Sequence, residues 1–362
     1  MKIYKFITQI SIAGCMLVGT PMLQGCMDNS LNDPLGKVSE EELGRDGFAA
    51  NAFFLTLCDY AYPIATENIY NTNESLIGDC YGRYQVMATD KFKGANFATY
   101  NAPENWLNWQ FADDNVMVLT YGAWNKIKNV TQGTGVNFAW AQILRIATMH
   151  RMLDMYGALP YSQISSDKLS TPYDTMEEAY HAMFTDLTDA INVMTVYVTE
   201  NPNNRTMAKY DKVYDGDFEK WVKFANSLKL RMAIRIRFAD REYARQMAEE
   251  AINHSIGVIT SNEDNATSLG TKNQLYTVLV QWPDQCVSAD ITSYMKGYND
   301  PRMSKYFKKK TSDKGDDDYV GMRAGLSYGN DITGPTFSRI NVGEMDRTLW
   351  MYGAQNETYI ED

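Results

Sequence analysis

Met176, Tyr180, Met183, Leu187, Ile191 and Met194 follow one another in steps of three or four residues. An α-helix turns once every 3.6 residues, so this spacing places all six on one helical face. A strand would need alternation, which is missing here. Ile143, Ile146, Met149, Leu153 and Tyr156 repeat the pattern, and Gly157 and Pro160 end it. Gly157 suits a helix C-cap and Pro160 cannot continue a helix. Asp174, with Glu177 three residues later, marks the start of the Met176 helix. A third helix is predicted from about Phe218 to Phe238, with Trp221, Phe224, Leu228 and Met232 inward and Lys220, Lys223, Arg231 and Arg235 toward solvent or acidic neighbours. A fourth runs from Arg241 to Asn253. Successive helices on short links, with no strand pattern between them, predict an all-α fold of antiparallel helix pairs. The architecture is like that of tetratricopeptide repeats. No self-similarity at the roughly 34-residue period of that repeat is legible, so the likeness stops at architecture.

Periodicity is lost over residues 63–110 and again after Thr260, where Asn, Gly and Tyr accumulate. Irregular segments on a rigid scaffold are where binding residues concentrate. Sugar rings have apolar faces edged by hydroxyls, so a site for them wants flat aromatics beside amides and carboxylates. Asn105-Trp106-Leu107-Asn108-Trp109 offers that set, and so does the stretch from Tyr276 to Asp284 around Trp282. Asn105, Trp106, Asn108, Trp109 and Trp282 are therefore the candidate ligand-binding residues, each tryptophan having a core role as its alternative. Trp221 lies on a helical stripe and is expected in the core.

The N-terminus reads as an export signal. Lys2 and Lys5 precede a mainly apolar stretch from Phe6 to Leu23, and small or polar residues lead to Cys26. Leu23-Gln24-Gly25-Cys26 resembles the lipobox of bacterial lipoproteins, in which the cysteine becomes the first mature residue and carries acyl chains. Ile12-Ala13-Gly14-Cys15 is the weaker choice, because cleavage there would leave too short an apolar run. The expected organisation is a leader over 1–25, a lipidated tether over 26–39 and a helical body over 40–362, whose first helix begins at the Ser39-Glu40-Glu41-Glu42 cap. The chain should sit on a membrane through lipid without crossing it. No later run approaches the roughly 18 apolar residues of a spanning helix.

The formal charge of −11, made more acidic by loss of Lys2 and Lys5, argues against a nucleic-acid partner. Cys58, Cys80 and Cys286 remain beside Cys26, an odd set that cannot form a full disulfide framework in a monomer. Buried, unreactive thiols are expected.

No catalytic, metal or cofactor site is expected. Gly325-Leu326-Ser327-Tyr328-Gly329 fits a nucleophile-elbow pattern, yet His150, His181 and His254 all precede it, whereas that fold places its histidine after the serine. The three histidines are too far apart for a helical zinc-protease pair. The acidic run at 313–318 lacks the EF-hand glycine. A glycoside hydrolase with a dispersed carboxylate pair stays open, since such pairs assemble from distant loops and nothing local selects one among 45 acids.

Several stretches, in order over roughly residues 23–303, resemble the SusD/RagB family of outer-membrane nutrient-binding lipoproteins, partners of TonB-dependent transporters in Bacteroidetes. After the leader comes Leu31-Asn32-Asp33-Pro34. Ala141-Gln142-Ile143-Leu144-Arg145 then leads to Tyr156-Gly157-Ala158-Leu159-Pro160-Tyr161, and Tyr173-Asp174 opens the helix with Asp186-Leu187. The most specific match is Lys220-Trp221-Val222-Lys223-Phe224-Ala225-Asn226-Ser227-Leu228-Lys229-Leu230-Arg231-Met232-Ala233, and Asp300-Pro301-Arg302-Met303 closes the series. The resemblance implies an outer-membrane receptor that holds an oligosaccharide or peptide and delivers it to a transporter, without cofactor or catalysis. It also implies a further helical segment beyond the end of this chain. A structural or adhesion lipoprotein without a small ligand is the competing class.

Overall fold

Each apolar stripe read from the sequence forms a helix in the computed structural model, which describes residues 48–61, 67–89, 97–111, 115–164, 170–267, 277–282, 284–310, 318–326 and 337–341. The leader, Cys26, the tether and the Ser39 cap lie outside the described residues. Contacts divide the chain into Met1–Ala49 and Ala50–Asp362. Among the described residues the helices up to Ile252 are α1 (Phe48–Ala61), α2 (Glu67–Tyr70), α3 (Glu104–Phe111), α4 (Val116–Thr131), α5 (Gly135–Tyr156), α6 (Met176–Glu200), α7 (Phe218–Ile236) and α8 (Arg241–Ile252). α4 packs on α5, α5 on α6, α6 on α7 and α7 on α8. This succession of paired neighbours is the mainly helical architecture predicted. Among the described residues no helix is long and apolar enough to cross a membrane.

α5 starts at Gly135, ahead of the Ile143 stripe. Every residue from Ala139 to His150 is buried, polar Gln142, Arg145 and Thr148 among them, so this central helix shows no polar face along those turns. Trp140 stacks on Phe54 at 4.3 Å between ring centroids and leans on Trp221 at 5.7 Å, joining α1, α5 and α7 in one core. Gly157 ends α5 at φ +78°, its N–H donating to the Leu153 carbonyl at 2.9 Å.

The cap of α6 falls one residue later than predicted. Thr175 accepts from the Glu178 N–H at 3.2 Å while Glu178 accepts from the Thr175 N–H at 2.8 Å, a complete capping box. Asp174 is occupied elsewhere, accepting from the N–H groups of Tyr161 and Ser162 at 2.9 and 2.7 Å. It thereby fastens the turn after α5 to the start of α6.

Three of the stretches that carry the family resemblance, around Arg145, around Asp186 and over residues 220–233, are tied together across α5 to α8. Arg145 from α5 donates to the Tyr161 hydroxyl at 2.7 Å and to Asp186 of α6 at 2.5 Å. Its guanidinium carbon lies 4.1 Å from the Trp124 ring centroid and 4.2 Å from that of Tyr161. On α7, Asn226 donates to the Gly257 carbonyl at 3.0 Å and buried Lys229 reaches Glu250 of α8 at 2.6 Å. The basic face of α7 also finds acids as expected, with Lys223 on Asp264 and Arg235 on Asp154.

Cys58, Cys80 and Cys286 are buried and unpaired. Burial pushes the Cys80 and Cys286 thiols up to about 12 and Cys58 higher still, so all three are inert. Of the nucleophile-elbow pattern only Gly325 and Leu326 fall within the described residues.

Candidate ligand-binding site

Strand pairing brings together segments some two hundred residues apart. β1 (Gln85–Met87) runs antiparallel to β2 (Gln285–Val287), with Val86 opposite Cys286. The Tyr84 carbonyl accepts from the Ser288 N–H at 3.0 Å. Ser288 in turn caps α9 (Ala289–Gly297), its hydroxyl oxygen accepting from the Asp290 N–H at 3.1 Å. Along and just beyond α9, Ile291, Tyr294, Met295 and Tyr298 stand at i, i+3, i+4 and i+7, which is one helical face.

That face lines a cleft of about 630 Å3 together with Asp79, Tyr84 and Gln85 from the β1 side and Asp300, Arg302, Lys305 and Tyr306 from the segment after α9. Its four tyrosines are open to solvent: Tyr84 at 55%, Tyr294 at 66%, Tyr298 at 82% and Tyr306 at 49%. Exposed large aromatics gathered around one concavity are unlike scattered surface residues and mark a recognition surface. Asp300 accepts from the Arg302 backbone N–H at 2.9 Å and from its guanidinium at 2.6 to 3.2 Å. Those bonds hold the Asp300 carboxyl down to about 2. The guanidinium carbon lies 5.8 Å from the Tyr306 ring centroid, so the Asp300-Pro301-Arg302-Met303 motif orients a cleft aromatic.

Asp79 behaves oppositely. Burial pushes its carboxyl up to about 6; the Gln85 amide, donating at 2.5 Å, opposes the rise and the charge of Glu74 adds to it. A raised acid holds its proton more tightly in the folded state than in the unfolded chain. Stability therefore falls as pH rises from about 4 to about 6, and at neutral pH the buried charge costs roughly 3 kcal/mol by that shift. Asp79→Asn is expected to be more stable than the parent at pH 7, with the gap closing by pH 4. Urea melts at the two pH values check this, and an equal gap at both would contradict the assignment.

Two of the tryptophans expected to touch ligand, Trp106 and Trp109, sit on a helix and not in a loop. Trp106 and Trp109 are three apart on α3 and, with Asn105, Asn68 and Thr72, line a second cleft of about 390 Å3. Both are half-buried. Trp106 lies edge-on to Phe97 at 6.3 Å, and Trp109 packs on the main core. Asn108 is exposed but does not line this cleft. Trp282 is half-buried at the end of a π-helical turn, Thr277–Gln281, which packs on α2, the helix that gives Asn68 to the second cleft. Asn105, Trp106 and Trp109 are thus brought together, while Asn108 and Trp282 stand outside. Sequence periodicity did not single out the tyrosine cleft, because the Ile291 to Tyr298 stripe spans only about two helical turns.

In chemical terms the larger cleft offers flat apolar faces with hydroxyl edges, the amides of Gln85 and Asn341, and fixed charges. Two carboxyls pushed in opposite directions, Asp79 up and Asp300 down, are also what acid and base roles require. Both oxygens of Asp300 are already engaged by Arg302, which leaves it poorly placed as a nucleophile or base.

Paired helices with an open aromatic cleft beside them define a mainly helical fold with a candidate site. The chain matches the family described as SusD-like, Susd and RagB outer membrane lipoprotein, over residues 30–359, and it belongs to that family. It is similar to a SusD homolog from Bacteroides uniformis, with 35% identity and a TM-score of 0.72 over 84% of this chain and 63% of that one. A chitin-binding SusD homolog from Flavobacterium johnsoniae is 30% identical with a TM-score of 0.69, over 80% of this chain and 60% of the other. A SusD-like protein from Bacteroides thetaiotaomicron gives 30%, 0.68, 80% and 60%. The chain thus spans about three fifths of the length of these solved relatives. No curated protein matches it.

Proposed function

We propose that this protein captures an oligosaccharide in the tyrosine cleft at the outer face of the outer membrane and hands it, chemically unchanged, to a TonB-dependent transporter. The observation that carries this reading is the set of four exposed tyrosines, Tyr84, Tyr294, Tyr298 and Tyr306, around one concavity. A tyrosine ring offers an apolar face to a sugar's C–H surface and a hydroxyl to its edge, which suits a neutral glycan better than a charged ligand. The chitin-binding relative supports the same ligand class. Asn105, Trp106 and Trp109 supply a second, smaller contact area, while Asn108 and Trp282 stand outside it.

Anchoring rests on the lipobox. Cys26 is the acylated residue in this reading, with residues 26–39 as the tether; two or more acyl chains give stable attachment where one does not. Mass spectrometry of the mature N-terminus is expected to find Cys26 as a lipidated first residue, and an unmodified or differently cleaved terminus would refute it.

A second reading, glycoside hydrolysis, is favoured by the divergent Asp79 and Asp300 carboxyls alone. Screening purified protein against neutral glycans and peptides, with product analysis of every bound glycan, separates the two. Binding without turnover is expected; cleavage of a bound glycan would replace capture by catalysis, and binding of peptides alone would move the ligand class.

A further inference from the structure

A different group of side chains gathers where the start of α6 meets the start of α8. Glu177 and His181 are four apart in the first turns of α6, which puts both on one face. Asp240 caps α8, and its Oδ1 accepts from the Tyr243 N–H at 3.2 Å, fixing the carboxylate. Its Oδ2 lies 3.3 Å from His181 Nε2. One ligating atom from each of Glu177, His181 and Asp240 falls within 4.8 Å of the other two.

The histidine is held for this arrangement. Its ring packs on Tyr243 at 4.2 Å between centroids, and Nε2 is shielded from solvent with no well-formed hydrogen bond. The nitrogen faces the Asp240 carboxylate, and the side chain as a whole keeps 40% of its surface in water, open to an incoming ion. Two carboxylates so close also repel each other unless a positive charge lies between them. Arg235, which lines the cavity beside the group, is engaged with Asp154 at 3.1 Å. Beside the group opens a cavity of about 390 Å3, with room for water ligands.

We propose that Glu177, His181 and Asp240 bind a divalent transition-metal ion of the zinc class, through His181 Nε2 and one oxygen of each carboxylate. One imidazole with two carboxylates suits Zn2+ and Co2+ better than the all-oxygen shell that Ca2+ takes. The two negative charges balance the ion, and water completes its shell. Such an ion ties the first turns of α6 to the cap of α8 and so pins the end of the helical pairs. The proposal stands independently of what the tyrosine cleft binds.

The test is titration of ZnCl2 into the purified chain, followed by calorimetry and thermal melting, with CoCl2 absorption in the visible range as the sign of coordination. One ion per chain and a rise of a few degrees in Tm are expected. Glu177→Gln is an exposed change that leaves the fold intact, and Asp240→Asn keeps a good helix cap. Each is expected to weaken Zn2+ binding at least about tenfold, and His181→Ala to remove the Co2+ bands. Binding of Zn2+ to all three variants as tightly as to the parent, or no saturable binding by the parent, would overturn the proposal.

Discussion

Trp221→Ala is expected to lower the unfolding free energy by about 3–5 kcal/mol, the range of a large core aromatic cut to alanine. Trp221 is fully buried on α7. It meets Tyr214 and Phe224 edge to face, both at 5.2 Å between centroids, and leans on Trp140. Its indole N–H donates to Asp211 Oδ2 at 2.7 Å. Asp211 is itself buried and also accepts from the N–H groups of Val213, Tyr214 and Gly216, so it organises the turn that leads into α7. Truncation therefore opens a cavity and removes a donor from a buried carboxylate. Trp221→Phe keeps a six-membered aromatic ring but loses the pyrrole ring and its donor, so it should cost less than alanine, about 1–3 kcal/mol. Urea melts of both variants check the order; an alanine variant within about 1 kcal/mol of the parent would show that Trp221 is not a core anchor.

Arg145→Ala is the second large effect, expected at about 3 kcal/mol, the lower end of the cost of removing one partner from a buried pair. The lower end applies because the Asp186 side chain keeps 31% of its surface in water, against 4% for Arg145. Loss of the guanidinium also empties the space between the Trp124 and Tyr161 rings. Arg145→Lys retains the charge but cannot stack as a plane between two rings, so it should recover only part of the loss. Thermal melts of both variants, with the Asp186→Asn single and double variants, measure the coupling. Full recovery by lysine would reduce the site to simple charge pairing.

The long helices were legible because their stripes are apolar and repeat at 3.6. α6 and α7 read clearly, while α5 read only from Ile143 onward. The family motifs were legible too, and their residues prove to be structural ties: Arg145 with Tyr161 and Asp186, Asn226 with Gly257, Lys229 with Glu250. What the sequence concealed lies in residues 63–110 and after Thr260. The π-helix Asn71–Asp79 buries Asn71, Thr72, Asn73 and Ser75, so polarity made an interior segment look like a loop. α9 is nine residues long, too short for its stripe to stand out. The tyrosine cleft depends on β1 meeting β2, a pairing between strands of three residues each that no local pattern announces. Tryptophans drew the site assignment to Trp106, Trp109 and Trp282, yet all three are half-buried, and the most exposed cleft aromatics are tyrosines.

The claim that the tyrosine cleft captures glycan is tested most directly by calorimetric titration of neutral oligosaccharides, chito-oligosaccharides first, into the parent, a Tyr294→Ala/Tyr298→Ala double variant and Trp106→Ala. Both tyrosines are exposed, so the double variant should melt with the parent. Stacking on an aromatic is worth about 1–3 kcal/mol on the scale measured for nucleic-acid bases, so the double variant should lose tenfold or more in affinity, and Trp106→Ala should lose less. Unchanged affinity in the double variant for a glycan that the parent binds, with the loss falling on Trp106→Ala instead, would move the site to the smaller cleft and contradict the account.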